Sequence, residues 1–555
     1  VIAELNTCNE VRVLIPQTGS SDTFDYDFIV IGSGFGGSVS ALRLSEKGYR
    51  VCVIEQGKRF AAKDYAKSNW DLPRYLWAPF AKCFGIQRLT FFKDVLILSG
   101  AGVGGGSLVY ANTLMVPSDK AFQSEAWRPI GNAREALAPF YALAKKMLGA
   151  ATNPKMTFID NTIEAYAKHA GVHDTFAPTE VAVFFGEPGK RVPDPYFGGE
   201  GPARSGCNFC GGCMVGCRFD AKNTLDKNYL YLAEKRGTEI LPLTRVSRLS
   251  PLNDDGSAGW KIEVEAVDQI LFPKKRTLRA RNVVLAGGVL GTLRLLLECR
   301  DRHQTLTRLS PFLGHQVRTN SEVFTGSSQP GARREVPYSH GIAISSILKV
   351  DERTAIEPVR YPVGSNFMKL LAAPLVSDPS EFRRTLKFLW RIVSRPVEFL
   401  KLTFNPRWAE TSVIFLVMQD LDNRIRVNFG RSPFTLFRGG LVSEREDGSE
   451  KVPSEIPAAN QFTEWFAEKV GGTAQCAVTQ VTVNIPTTAH ILGGCPMGDA
   501  PETGVIDAQH RLFGYTGIWV CDGSAVPANL GVNPSLTITA MTERAMTFIP
   551  PKASS

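Results

Sequence analysis

The 555-residue sequence predicts an α/β fold: a Rossmann-type, doubly wound sheet assembled from discontinuous segments and joined to an antiparallel-sheet domain. Three observations predict it. An apolar run over 28–31 ends in Gly32-Ser33-Gly34-Phe35-Gly36-Gly37 and opens into a helical stretch over 38–47. Far downstream, a strand over 281–286 runs into Gly287 and Gly288 ahead of a helix over 290–298, and the tail shows strand, loop and helix again over 516–546. Between about 316 and 485 the pattern changes to strand-like alternation, as at 342–350, 355–359, 413–419 and 424–428.

The first turn has the context that dinucleotide binding requires. Gly32 makes the tight turn, Gly34 lets backbone approach a pyrophosphate, and Gly37 lets the helix pack closely on the strand, with Phe35 and Gly36 completing the motif. A second strand over 50–54 then delivers Glu55, where a carboxylate can hold ribose hydroxyls. The alternative is a plain strand, turn and helix. After an aromatic and basic segment at 70–93, with Tyr75, Trp77, Phe80, Phe84, Phe91 and Phe92, come Gly100, Gly102, Gly104, Gly105, Gly106 and Ser107. So many glycines exclude a regular element and place bare backbone beside something flat or charged. Residues 116–235 are mixed, with a Gly- and Pro-rich loop over 185–205.

Composition bounds the rest. The chain is 44% hydrophobic and 21% charged, which is ordinary for a globular protein, and it is too long for one core. No stretch reaches eighteen apolar residues, and no nucleic-acid motif accompanies the net charge of +9. Residues 1–20 lack a secretory pattern. Eleven cysteines, an odd number, argue against a disulfide framework and for a reducing, cytoplasmic compartment. Four of them, Cys207, Cys210, Cys213 and Cys217, have the spacing of ferredoxin iron–sulfur ligands, although Arg218 stands where proline usually follows and no second run exists. Zinc and unmetallated thiols are the other readings. A stretch over 381–407 sets Phe382, Leu386, Leu389, Trp390 and Val393 at helical spacing among Arg383, Arg384, Lys387, Arg391 and Arg395. It reads either as a face resting weakly on an anionic membrane or as a core stripe with a solvated basic side.

Several blocks together resemble the glucose-methanol-choline (GMC) flavin oxidoreductases, within them the cholesterol-oxidase-like branch. They are Gly32 to Gly37 with Glu55, Gly102 to Val109, Ala286 to Thr292, His490 to Gly498, Asp522 to Pro527 and Gly531 to Thr539, in family order. The resemblance implies FAD, held by 24–115, 225–315 and 486–550. It also implies a substrate part from 116–224 and 316–485, including the cysteine segment 207–217 and the insertion 381–407. Gly102 to Ser107 would lie beside the isoalloxazine, Asp522 and Gly523 near the pyrophosphate and ribityl chain, and Asn533 and Pro534 near the ring. His490 and Asn533 match the family's catalytic His and Asn, suited to proton handling and to hydrogen-bonding a developing alkoxide. Ile491 departs from the proline usual after that His. In this branch a buried strand Glu acts as base, and Glu357 is the candidate; its alternatives are facing solvent or pairing with Arg360. The implied substrate is a hydrophobic alcohol, a 3β-hydroxysteroid first. Electrons would pass through an iron–sulfur cluster to an external acceptor, or to oxygen with the cysteines structural.

Overall fold

The structure is a computed structural model describing residues 24–269, 272–435 and 437–553. The reading of residues 1–20 lies outside them. The first sheet has the order Glu239–Leu241, Val51–Ile54, Tyr26–Ile31, Lys275–Leu285, Trp260–Ala266 and Thr244–Pro251, with Ile518–Val520 also paired to Lys275–Leu285. The strands around Tyr26–Ile31 run parallel, and the last two form an antiparallel meander. Phe28, Ile29, Val30 and all of Val51–Ile54 are buried, the unbroken apolar run that a parallel sheet covered on both faces requires.

Helix Phe35–Glu46 lies against this sheet so closely that only glycine fits. A Cβ on Gly36 would sit 1.6 Å from the Cys521 carbonyl oxygen, and one on Gly37 2.0 Å from that of Gly32. Gly32 itself has φ +104°, a conformation open to glycine. Close packing aims the helix N-terminus at the carboxyl ends of the strands, where open α/β sheets bind ligands.

The second sheet is antiparallel in its principal ladder: Ala372–Pro374, Thr473–Ala477, Val323–Ser328, Ser412–Gln419, Thr354–Val359, Ser346–Lys349 and Ala177–Pro178. Helices Phe158–His169 and Pro457–Val470 cover one face, packing Ile163, Phe462 and Phe466 with Ile356, Phe415 and Val417. On the other face Phe324, Leu416 and Glu357 stand in one row across three strands, flanked by Ile414 and Val359. The strand expected at 342–350 is confined to Ser346–Lys349; Ile344 only bridges Val359 from irregular backbone. The strand near 424–428 is present as Ile425–Gly430, but it pairs with Gly440–Arg445 and sends Ile425 and Val427 into the core of the first sheet.

The stretch 381–407 forms helices Glu381–Ser394 and Pro396–Thr403. Its stripe is not core. Phe382, Trp390 and Val393 are 73%, 70% and 71% exposed, and Leu386, Leu389, Val397, Leu400 and Phe404 are exposed with them. The helix is anchored from its opposite side, by Phe388 against Ala373, Leu375 and Val481 and by Arg384 paired with Glu455. Among the described residues no helix is long and apolar enough to cross a membrane.

Candidate active site

Two glycine loops meet at the carboxyl edge of the first sheet. A Cβ on Gly105 would lie 2.5 Å from the Gly34 Cα, and the Phe35 ring stands edge-on to Tyr110 at 5.5 Å. Ser33 pins the junction: its hydroxyl donates to Glu55 Oε2 at 2.6 Å and accepts from the Gly104 N–H at 3.1 Å. Glu55 also accepts from the N–H groups of Ser33 and Gly57, so its buried carboxylate organises the loops around it. Burial raises its pKa, and the hydrogen bonds from Ser33 and Gly57 work against that. Ser107 spans Gly104 and Leu225. At the third glycine turn, buried Asp522 accepts from Thr292 Oγ1 and from Ser524, joining helix Gly288–Leu297 to the loop of Gly523.

These features fit a dinucleotide such as FAD. Helix Phe35–Glu46 begins at Gly34 with no side-chain cap and no acidic residue in its first turn, so its leading N–H groups are free for an anion. Gly34 and Gly106 present almost nothing within 4 Å of a built Cβ apart from each other's neighbours, leaving bare backbone on that side. Ser33 was not singled out from the sequence, because a motif position written as "any residue" carries no signal there.

Three predicted side chains converge between the sheets. Asn533, in the loop before helix Ser535–Thr547, donates from Nδ2 to Glu357 Oε2 at 3.1 Å and lies 3.5 Å from His490 Nε2. Glu357 is fully buried, and Oε1 of Glu357 and Oδ1 of Asn533 have no hydrogen-bond partner among the described residues. Both alternatives for Glu357 fail: it does not face solvent, and Arg360 turns to the other face to meet Asp160 and Ser345. Burial pushes the Glu357 carboxyl up to about 7, against the hydrogen bond from Asn533 and the charge of His490. On its other side His490 places Nδ1 3.0 Å from Oε2 of Glu322, a buried carboxylate that sequence reasoning missed. Burial alone pulls the His490 pKa down, but the charge of the adjacent Glu322 carboxylate, with Glu357 adding, leaves it raised. His490 follows Thr487–Thr488, and Thr488 Oγ1 receives its backbone N–H at 2.9 Å, which substitutes for the rigidity that Ile491 does not provide. Pro534 caps the helix behind Asn533, and Ser535 Oγ donates to the Thr113 carbonyl.

The metal expectation finds no support among the described residues. Cys207, Cys210, Cys213 and Cys217 do line one cavity, with Val183, Phe219 and Lys222, but the cavity has room for about one water molecule. Among the described residues no group of three or more His, Cys, Asp or Glu side chains is disposed to hold a metal ion. Burial pushes the Cys207 thiol up to about 12 and that of Cys210 to about 11, with Cys213 adding to both. Cys207, Cys213 and Cys217 pack with Val183, Phe185, Phe209 and Ile342. All described cysteines are free thiols. Lys222 ties this pocket to the second glycine loop, donating to the carbonyls of Leu108, Tyr110 and Cys213.

Known proteins align with this architecture. GMC oxidoreductase family models match residues 203–304 and 424–542, and a model of the NAD(P)-binding Rossmann-like domain matches 30–73. A cholesterol oxidase of Mycobacterium tuberculosis is 46% identical over 542 residues, covering 95% of this chain and 92% of that protein. A cholesterol oxidase of Acinetobacter baumannii is 43% identical over 537 residues, covering 96% and 95%. A fungal aryl-alcohol oxidase structure shares the fold at a TM-score of 0.58 and 14% identity, covering 95% of this chain and 98% of that one. The chain therefore belongs to the GMC oxidoreductase family, as an FAD-dependent enzyme that acts on CH–OH donors.

Proposed function

We propose that this enzyme oxidises the hydroxyl of a hydrophobic alcohol, a 3β-hydroxysterol first among them, with oxygen as the final acceptor. The observation that carries the reading is the chain Glu357–Asn533–His490 set into an apolar wall of Phe324, Leu416, Ile414 and Val359. Such a wall suits a fused hydrocarbon skeleton, and the polar chain supplies the few convergent groups that orient its hydroxyl. The naming of the two bacterial relatives as cholesterol oxidases supports the same substrate class.

FAD would be held by segments 24–115, 225–315 and 486–550. The N-terminus of helix Phe35–Glu46, with Gly32, Gly34, Phe35, Gly36 and Gly37, would take the pyrophosphate, Glu55 the ribose, and Gly102, Gly104, Gly105, Gly106 and Ser107 the ring side, with Asp522, Gly523, Asn533 and Pro534 closing the site. FAD held there would supply a two-electron acceptor for the carbinol hydride; with the hydroxyl proton lost to the protein the alcohol would become the ketone, and oxygen would take up the two electrons and two protons as hydrogen peroxide. Asn533 and His490 orient the alcohol oxygen. Glu357 takes the proton: its burial gives it a basicity near neutrality, and its unpartnered Oε1 is available to accept. The apolar wall excludes water from both transfers.

A second reading is an iron–sulfur relay at Cys207, Cys210, Cys213 and Cys217, for which the one supporting observation is that all four residues line one cavity. Iron and acid-labile sulfide assayed on anaerobically purified protein decide it, with none expected if oxygen is the direct acceptor. The exposed face of Glu381–Ser394 and Pro396–Thr403 would rest on an anionic lipid surface, the source of a sterol too insoluble to diffuse freely. The primary test is anaerobic bleaching of the flavin by a panel of cholesterol, long-chain alcohols and sugars. Bleaching by cholesterol is expected, and bleaching only by sugars would remove the reading.

A further inference from the structure

One short segment grips both halves of the polar chain, and nothing in its sequence announces it. Residues 318–322 run beside the His490 loop: Arg318 and Leu492 exchange backbone hydrogen bonds of 2.8 and 2.9 Å, and Thr488 Oγ1 lies 2.9 Å from the Thr319 carbonyl. Asn320 and Ser321 then both adopt the left-handed conformation, at φ +58° and +46°. Two consecutive non-glycine residues there are strained, and such strain persists only where surrounding contacts over-determine it.

Those contacts divide between the two partners. The Asn320 side chain accepts the N–H groups of Leu530 and Gly531 at 3.0 and 2.9 Å and donates to the Val532 carbonyl at 3.0 Å, while its own N–H reaches Asn529 Oδ1 at 2.8 Å. It therefore holds the loop that ends at Asn533. The left-handed pair reverses the chain, so that Glu322 faces the other loop. The Glu322 carboxylate accepts Thr488 Oγ1 at 2.8 Å and the Ala489 N–H at 3.1 Å, and it stands 3.0 Å from His490 Nδ1.

We infer that the strained turn Asn320-Ser321-Glu322 is the positioning element of the active site, Glu322 fixing the ring of His490 while Asn320 fixes the register of Asn533. A carboxylate on Nδ1 holds that nitrogen protonated and aims Nε2 at Asn533 and the alcohol, the logic by which an orienting acid serves a catalytic histidine. Neither Asn320 nor Glu322 is assigned contact with the reacting atoms; both act through their neighbours. The inference rests on the roles proposed for His490 and Asn533.

The test uses the FAD-loaded enzyme. Anaerobic flavin reduction by cholesterol is followed in wild type, E322Q, H490Q and the double variant. E322Q is expected to slow the limiting rate about 10- to 100-fold, in the range of losing an orienting partner behind an active-site ligand, with substrate affinity unchanged. In the H490Q background the same substitution is expected to add little, because its effect passes through the ring. An equal loss in both backgrounds overturns the inference. Imidazole ¹⁵N titration, with His490 identified by its absence in H490Q, gives a readout independent of turnover. The His490 titration is expected at lower pH in E322Q, and an unchanged titration overturns the pairing. If wild type is not reduced by cholesterol, the substrate proposal fails while this titration still tests Glu322. Should E322Q not fold, Asn320→Gly keeps the backbone conformation accessible and removes only the grip on the loop at 529–532. A reduction rate equal to wild type in that variant overturns the Asn320 role.

Discussion

Glu357 shows how burial and reactivity are coupled in one side chain. A fully buried carboxylate opposite Leu416 in the sheet holds its proton up to about pH 7, where an exposed one would have lost it. As a base it must be ionised, so kcat/KM for the sterol is expected to rise with pH through about 7 and to fall about tenfold per unit below it. Glu357→Gln should abolish that limb and reduce flavin reduction by about 10²- to 10⁴-fold, measured by rapid mixing without oxygen. Intact turnover in that variant would remove Glu357 from the chemistry. The same residue has a stability signature. Its folded pKa lies above the unfolded value, so between about pH 4.5 and 7 the folded state binds the extra proton and stability declines as pH rises. Glu357→Gln is expected to raise the melting temperature at pH 8 more than at pH 5, as calorimetry can show. Sequence reasoning pointed to Glu357, His490 and Asn533 through the family resemblance, His490 and Asn533 by their motifs and Glu357 as a carboxylate on a substrate-domain strand. It missed Glu322, whose meaning depends on a contact with a loop far along the chain.

Elements divide in the same way. The first sheet and its glycine turns were legible because parallel strands are continuously apolar and a close helix crossing admits only glycine, both local properties. Gly36→Val should therefore collide with the Cys521 carbonyl, and the purified variant is expected to lose FAD and melt earlier; normal flavin content would contradict that packing. The cysteine segment stays undecided by sequence because compact Cys spacing is the same for a metal centre and for a thiol-lined pocket. Which one forms depends on how neighbouring Val183, Phe185 and Phe209 fill the space. The stripe on Glu381–Ser394 was ambiguous for a related reason: helical periodicity reports an apolar face, not what covers it. Since that face is open, Phe382→Ser with Trp390→Ser is expected to abolish sedimentation with anionic vesicles at low salt and leave turnover of detergent-dispersed sterol unchanged. Undiminished sedimentation would dismiss the lipid contact.

At the scale of the whole molecule, the chain sets the glycine-turn edge of the first sheet against a sheet with an apolar row on one face, and the polar side chains between them come from both. His490 and Asn533 stand in loops, after Thr487–Thr488 and before helix Ser535–Thr547, and Glu357 on a strand of the second sheet. The segment 318–322 spans them, so the relative placement of the two parts and the geometry of the site are one property. The sequence pattern revealed both sheets but not their apposition, because long-range packing leaves no periodicity to read. The most direct measurement is the anaerobic half-reaction of the FAD-loaded enzyme with cholesterol across pH 5 to 9, followed by admission of oxygen. The account predicts complete flavin bleaching, a rate rising through about pH 7 in wild type but not in Glu357→Gln, and one hydrogen peroxide per ketone formed. No bleaching by cholesterol, or ketone formed without peroxide, would contradict it.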